Sequence, residues 1–278
     1  MFLNFAFILA FQNFDVNANA KVDKFLNKSH NKLMKIKRFI SKFWNGFEDL
    51  FMISHSCMGC GREVPDGTEF SLCEKCREKF EIIKGTTCLK CGEGLIEGNK
   101  LCGHCKEKDY HFDKNFSLSY YTDVSAKVVK DLKYGKKKFL AKKIAESLAG
   151  NKDYFEDVDV LAFVPVSKKR KKERGFNQAE EIALHLGRIF NKPVKEFLIK
   201  KETGVHQAGL TQKDRLKNLI GSFELNASVE DEIKGKVVLI VDDVFTTGST
   251  LDECSKMIRQ KKPKMIKTVT YAKTKFDY

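Results

Sequence analysis

Two adjacent carboxylates, Asp242 and Asp243, end a run of five apolar residues, Val237-Val238-Leu239-Ile240-Val241, and the loop Thr246-Thr247-Gly248-Ser249-Thr250 follows them. Small hydroxyl residues ahead of a helix present converging backbone N–H groups, the helix dipole favours negative charge there, and glycine lets the backbone approach closely. A bare phosphate would be repelled by the acid pair. A pentose phosphate suits both halves, because carboxylates accept hydrogen bonds from sugar hydroxyls while the loop holds the phosphate. The plain alternative is a strand–turn–helix with a Ser or Thr N-cap. The order of strand, acid pair, hydroxyl loop and helix favours the sugar phosphate.

Cysteine supplies the second chemistry. Eight of the nine cysteines fall into four CxxC pairs, Cys57/Cys60, Cys73/Cys76, Cys88/Cys91 and Cys102/Cys105. Each pair aims two thiolates at one ion, and a structural zinc takes four ligands at ~2.3 Å, so the spacing predicts two zinc ions. Sequential pairing is the simple arrangement, and a cross-braced one fits the spacing as well. Four thiolates leave no open position for water, which excludes catalytic zinc. Paired spacing also argues for a reducing compartment rather than disulfides. His104, between Cys102 and Cys105, is a possible substitute ligand, though a solvent-facing histidine is the simpler expectation. Cys254 is expected to pack as a small apolar residue.

Two basic stretches could meet phosphate. Six basic residues, Lys168, Lys169, Arg170, Lys171, Lys172 and Arg174, follow the apolar run Val160 to Val166, with Gly175-Phe176-Asn177-Gln178 after them. In an open α/β sheet ligands collect beyond the carboxyl ends of strands, which places this segment where it could grip pyrophosphate. Lys133-Tyr134-Gly135-Lys136-Lys137-Lys138 carries an aromatic and a glycine among four lysines. That composition suits a nucleic-acid backbone or an ordinary solvated face.

These groups need a frame. Val237–Val241 is β-branched at four of five positions, as a strand buried on both faces requires, and a helix follows through Leu251, Cys254, Met257 and Ile258. Further strands are expected at 117–121, 160–166 and 266–272, and helices at 124–132, 139–148 and 179–186. The segment His206 to Leu210 precedes a polar helix carrying Lys213, Arg215 and Asn218. The fold class is α/β, a parallel sheet flanked by helices, preceded by a small zinc-ribbon module at 57–109; the α/β domain spans 113–278. Upstream, 34–56 reads as an amphipathic helix with an aromatic stripe from Ile36 to Phe51, expected to pack on the protein itself before any peripheral membrane contact. Residues 1–33 stay unassigned. Their apolar stretch from Phe2 to Phe11 falls short of the roughly twenty residues that span a bilayer. Ala18-Asn19-Ala20 resembles a cleavage site without the basic segment an export signal carries, and Met34 is an alternative start. The net charge of +14 and pI near 9.2 favour polyanionic partners.

The four knuckles, LKYG at 132–135, VPVSKKRKKERGFNQA at 164–179, HQAGLTQKDRLKN at 206–218 and VVLIVDDVFTTGST at 237–250 together resemble the ComF family. These are competence-protein relatives of the type I phosphoribosyltransferases that carry a double zinc ribbon. The resemblance starts near Met34. It implies a cytoplasmic protein of single-stranded DNA uptake in natural transformation, with phosphoribosyl pyrophosphate, magnesium, single-stranded DNA and other uptake proteins as its partners. It implies that Asp242 and Asp243 bind the ribose hydroxyls directly or through magnesium, and that Thr246, Thr247, Gly248, Ser249 and Thr250 hold the 5′-phosphate. Lys168, Lys169 and Arg170 match the pyrophosphate-side loop, and Arg174, Gly175, Phe176, Asn177 and Gln178 a mobile loop beside it. Lys133, Tyr134, Lys136, Lys137 and Lys138 remain the nucleic-acid candidates. The acceptor of a phosphoribosyl transfer is not legible, so a catalytic transferase, a protein that senses the phosphosugar without turnover, and a zinc-ribbon interaction module all stay open.

Overall fold

A computed structural model of the chain describes residues 55–96, 98–201, 219 and 221–276. The expectations for 1–33, for the helix at 34–56 apart from its last two positions, and for His206 to Leu210 with Lys213, Arg215 and Asn218 lie outside them. Among the described residues no helix is long and apolar enough to cross a membrane.

The ribbon contains two short helices, α1 (Glu74–Glu78) and α2 (Gly103–Glu107), each opening directly after a cysteine of its knuckle. Then follow β1 (Lys114–Tyr120), α3 (Asp123–Tyr134), α4 (Leu140–Ala149), β2 (Val160–Phe163), α5 (Lys168–Arg174), α6 (Gln178–Phe190), β3 (Leu198–Lys200), β4 (Phe223–Leu225), β5 (Val237–Phe245), α7 (Ser249–Arg259) and β6 (Met265–Lys273). Four strands form one parallel sheet in the order β1-β6-β5-β2, while β3 and β4 pair antiparallel as a separate ribbon. The β5 run is buried along its whole apolar length, as a central strand with helices on both faces must be. β2 stops at Phe163, short of the expected Val166, because Pro165 has no N–H for the ladder.

The cysteines settle into two sequential tetrads. The Sγ atoms of Cys57, Cys60, Cys73 and Cys76 lie within 4.8 Å of one another, as do those of Cys88, Cys91, Cys102 and Cys105. A tetrahedron with Zn–S near ~2.3 Å has edges of about 3.8 Å. Cys60 to Cys73 at 3.7 Å and Cys91 to Cys102 at 3.6 Å fit it, and the cross-braced arrangement drops out. His104 is neither ligand nor solvent-facing: it is half-buried, stacked on Phe276 at 4.3 Å and bonded to Tyr110. Cys254 is fully buried on α7, packed as expected.

Ribbon and sheet share one compact unit, Ile53–Tyr278. Glu93, two residues past Cys91, pairs with Lys273 at the end of β6, and Asn115 of β1 donates to the Cys91 carbonyl at 2.9 Å. Gly92 sits at φ +71°, and a Cβ there would come within 2.8 Å of the Asn115 carbonyl oxygen, so this knuckle closes against β1 only with glycine.

Candidate functional site

β2 and β5 run side by side with Phe163 opposite Val241, and a cavity of about 380 Å³ opens beyond their carboxyl ends. Asp242 and Asp243 reach it from the last turns of β5, Thr246 and Thr250 from the loop, Arg170 and Arg174 from α5, Lys133 from α3, Lys200 from β3 and Gln178 from the start of α6. A larger cavity of about 500 Å³, between the Asp66–Ser71 loop and α4, gathers none of the predicted site residues.

The acid pair is internally balanced. Lys133 grips the 9 % exposed carboxylate of Asp243 at 2.8 and 2.9 Å. Burial depresses the Lys133 ammonium, but Asp243 outweighs it and the net shift is upward, so Lys133 stays charged. Asp242 accepts the Asp243 backbone N–H at 2.8 Å. Burial first, and the neighbouring Asp243 carboxylate second, push its carboxyl up to about 7. One carboxylate is therefore neutralised by a cation and the other by holding a proton near neutrality.

The loop turns on Gly248, at φ +73°, where a Cβ would approach Phe245 Cζ to 2.5 Å and Tyr110 Cε1 to 2.8 Å. The hydroxyls of Thr247 and Ser249 bond each other at 2.8 Å, and α7 begins at Ser249. Its first backbone N–H, that of Ser249, donates to the Thr247 hydroxyl at 3.4 Å, and a helix N-terminus at this loop is a setting that favours an anion.

The predicted basic residues divide. Ser167 caps α5 through the Arg170 N–H at 3.3 Å, so the expected loop is a helix. Arg170 lines the cavity, whereas Lys168 and Lys169 are exposed on the outer part of the helix. The expected mobile loop 174–178 is a packed junction: Gly175 closes α5 at φ +85°, Asn177 caps α6, and Phe176, Asn177 and Gln178 are buried. Lys133 enters the cavity, while Lys137 pairs with Asp131 and Lys138 with Glu181, both at 2.8 Å, on the outside. Tyr134, 68 % exposed, carries the Arg174 guanidinium 5.2 Å above its ring. With Lys136, Arg170 and Glu173 it lines an adjoining cavity of about 220 Å³.

One contributor escapes a reading of the sequence, and Gln178, expected in a mobile loop, enters as a buried side chain. Lys200 lies on β3, its ammonium 5.0 Å above the Phe223 ring and depressed by burial and then by Arg170. Nothing in its local spacing marks it, because only the β3–β4 pairing brings it over the sheet. Gln178 is 2 % exposed; Arg174 bonds its Oε1 at 2.7 Å and its Nε2 has no partner among the described residues. A buried amide donor without a partner is costly, and Gln178 lies in the wall of the cavity.

Residues 50–106 match the double zinc ribbon domain and residues 138–275 the phosphoribosyl transferase domain. Competence protein F of Haemophilus influenzae is 29% identical over 196 residues, 68% of this chain and 84% of that protein. Competence protein ComFC of Bacillus subtilis is 26% identical over 198 residues, 68% and 78% of the two chains. The DNA utilization protein YhgH of Escherichia coli K12 is 25% identical over 196 residues, 68% and 84%.

Proposed function

Because the chain belongs to the ComF family, with a double zinc ribbon joined to a phosphoribosyltransferase domain, we propose that it is a cytoplasmic competence protein that binds phosphoribosyl pyrophosphate and single-stranded DNA. The observation that carries this is a convergence at one cavity: the Asp242–Asp243 pair, the loop ending in Thr250, and four cations, Lys133, Arg170, Arg174 and Lys200. The acid pair accepts ribose hydroxyls and is the donor set for magnesium, hard oxygen ligands suiting a hard cation. The loop takes the 5′-phosphate and the cations take the pyrophosphate. Bound magnesium would supply charge neutralisation to that pyrophosphate. In a transfer reaction the two carboxylates steady positive charge developing at ribose C1 while Arg170, Arg174 and Lys133 draw off the leaving group's charge.

Among the described residues lining the cavity none is aromatic. The exposed Tyr134, ringed by Lys136, Arg170 and Arg174, lies next door and suits the bases and backbone of a single strand, which stack on aromatics and track positive grooves.

Calorimetry tests the reading. Phosphoribosyl pyrophosphate should bind with magnesium present, and Asp243→Asn should weaken binding by about tenfold or more, the scale of one lost charge-assisted contact. An absence of binding with and without magnesium sinks it. Pyrophosphate release, assayed alongside, separates a transferase from a sensor.

A further inference from the structure

The second cysteine tetrad touches the loop assigned to the 5′-phosphate. α2 carries His104 between Cys102 and Cys105, and His104 Nε2 lies 2.8 Å from the Tyr110 hydroxyl. That hydroxyl lies 2.8 Å from the Thr247 carbonyl oxygen. A carbonyl only accepts, so the single phenolic proton goes to Thr247 and His104 Nε2–H must donate to Tyr110. The chain of donors therefore runs one way, from the knuckle to the loop. Lys108 adds a second, longer contact to the same carbonyl at 3.4 Å.

Tyr110 is 3 % exposed, stacked on Phe112 at 4.7 Å and set edge-on to Phe245 at 6.1 Å. Its ring edge occupies the space that a side chain at position 248 would need. In a trans peptide the C=O and the following N–H point in opposite directions. With the Thr247 oxygen held on the ribbon side, the Gly248 N–H is turned to the opposite side, into the loop where a phosphate oxygen would sit. The first tetrad packs elsewhere: a Cβ on Gly59 would meet Cys76 and Val124 of α3, and Lys143 of α4 bonds the Ser56 carbonyl.

We infer that Tyr110 is a positioning residue for the sugar-phosphate loop, and that the second cysteine tetrad, through His104 and Tyr110, sets that loop's affinity for a phosphate monoester. This rests on the phosphosugar reading above and adds to it a dependence on the ribbon. The tetrad's geometry fits zinc; with the ion bound, α2 is fixed and with it the donor to Tyr110. Loss of the ion would free the Thr247–Gly248 peptide to rotate.

The test uses the full chain and two probes, ribose 5-phosphate and inorganic pyrophosphate. In Tyr110→Phe, which keeps the ring and loses the hydroxyl, ribose 5-phosphate affinity should fall by about tenfold, the scale of one hydrogen bond. Pyrophosphate affinity and zinc content should stay near those of the parent. Amide exchange at Gly248 should quicken in the same variant without any ligand. Cys105→Ser should reproduce the selective loss and Cys76→Ser should not. Unchanged ribose 5-phosphate affinity in Tyr110→Phe, or an equal loss for both probes, overturns the inference alone. If the parent chain binds neither probe, the phosphosugar reading falls, and unchanged Gly248 exchange in Tyr110→Phe then removes the coupling as well.

Discussion

Asp242 stands under two demands that conflict. To meet sugar hydroxyls or a metal it should be ionised, yet burial and the adjacent Asp243 hold its carboxyl up at about 7, against an ordinary 3.8. Between those two values the folded state carries a proton that the unfolded state has released. Stability from this group therefore falls as pH rises from about 4 to about 7 and is fully lost above that. Asp242→Asn removes the conflict. At pH 8 the variant should be more stable than the parent by about 1–3 kcal/mol, ~2–10 °C in melting temperature, with the gain vanishing near pH 4. Thermal melts at the two pH values measure this, and a gain equal at both would show that the carboxyl titrates normally. The same variant should bind phosphoribosyl pyrophosphate more weakly, so the site trades stability for ligand. Lys133 has the opposite role: Lys133→Met strips the 9 % exposed Asp243 of its counter-charge and should cost about 1–3 kcal/mol at neutral pH.

At the scale of elements, α5 concentrates charge on about two helical turns, and its residues do not share one task. Arg170 faces the cavity; Lys168, Lys169 and Lys172 are exposed. Replacing those three lysines by Gln should lower the salt dependence of single-strand binding by about 2 in log–log slope, at ~0.7 per phosphate contact, and leave phosphosugar affinity unchanged. Arg170→Gln should weaken both. Fluorescence anisotropy across a salt series reads the first and calorimetry the second; an unchanged slope would take α5 out of the strand's path. This division also marks where the sequence stops speaking. The apolar run, acid pair and hydroxyl loop of β5 are contiguous, so their chemistry is visible in one stretch, and the CxxC spacing is equally local. Lys133 was legible only as part of a charge run, although a helix puts it on a different face from residues beyond the Gly135 turn. Segment 168–170 read as a loop because no apolar periodicity marks so short a helix. Lys200 and Tyr110 depend on how distant segments meet, and no local pattern carries that.

Across the whole molecule, the ribbon is joined to the sheet by groups that cannot be exposed cheaply. Lys273 ends β6 with its side chain 0 % exposed, pairs with Glu93 at 6 %, and lies 4.3 Å from the Phe276 ring; Glu93 also accepts from the Tyr120 hydroxyl at 2.7 Å. Attraction inside the protein repays the loss of water only while both charges are present. Glu93→Gln leaves a buried ammonium beside a neutral amide and should cost about 3–5 kcal/mol, lowering the melting temperature by ~6–20 °C. Lys273→Met, which leaves the carboxylate with Tyr120, should cost somewhat less. The double variant, with a neutral amide facing an apolar chain of similar length, should recover most of the loss, giving a coupling energy of about 2 kcal/mol or more in a denaturant-unfolding cycle. If ribbon and sheet are one cooperative body, each single variant should still unfold in one transition, and a chelator that strips the tetrads should lower that same transition. Two separate transitions, or single-variant losses that merely add, would mean the ribbon docks loosely. The contacts from Glu93, Asn115 and Tyr110 could not then transmit the state of the cysteines to the site at the end of β5.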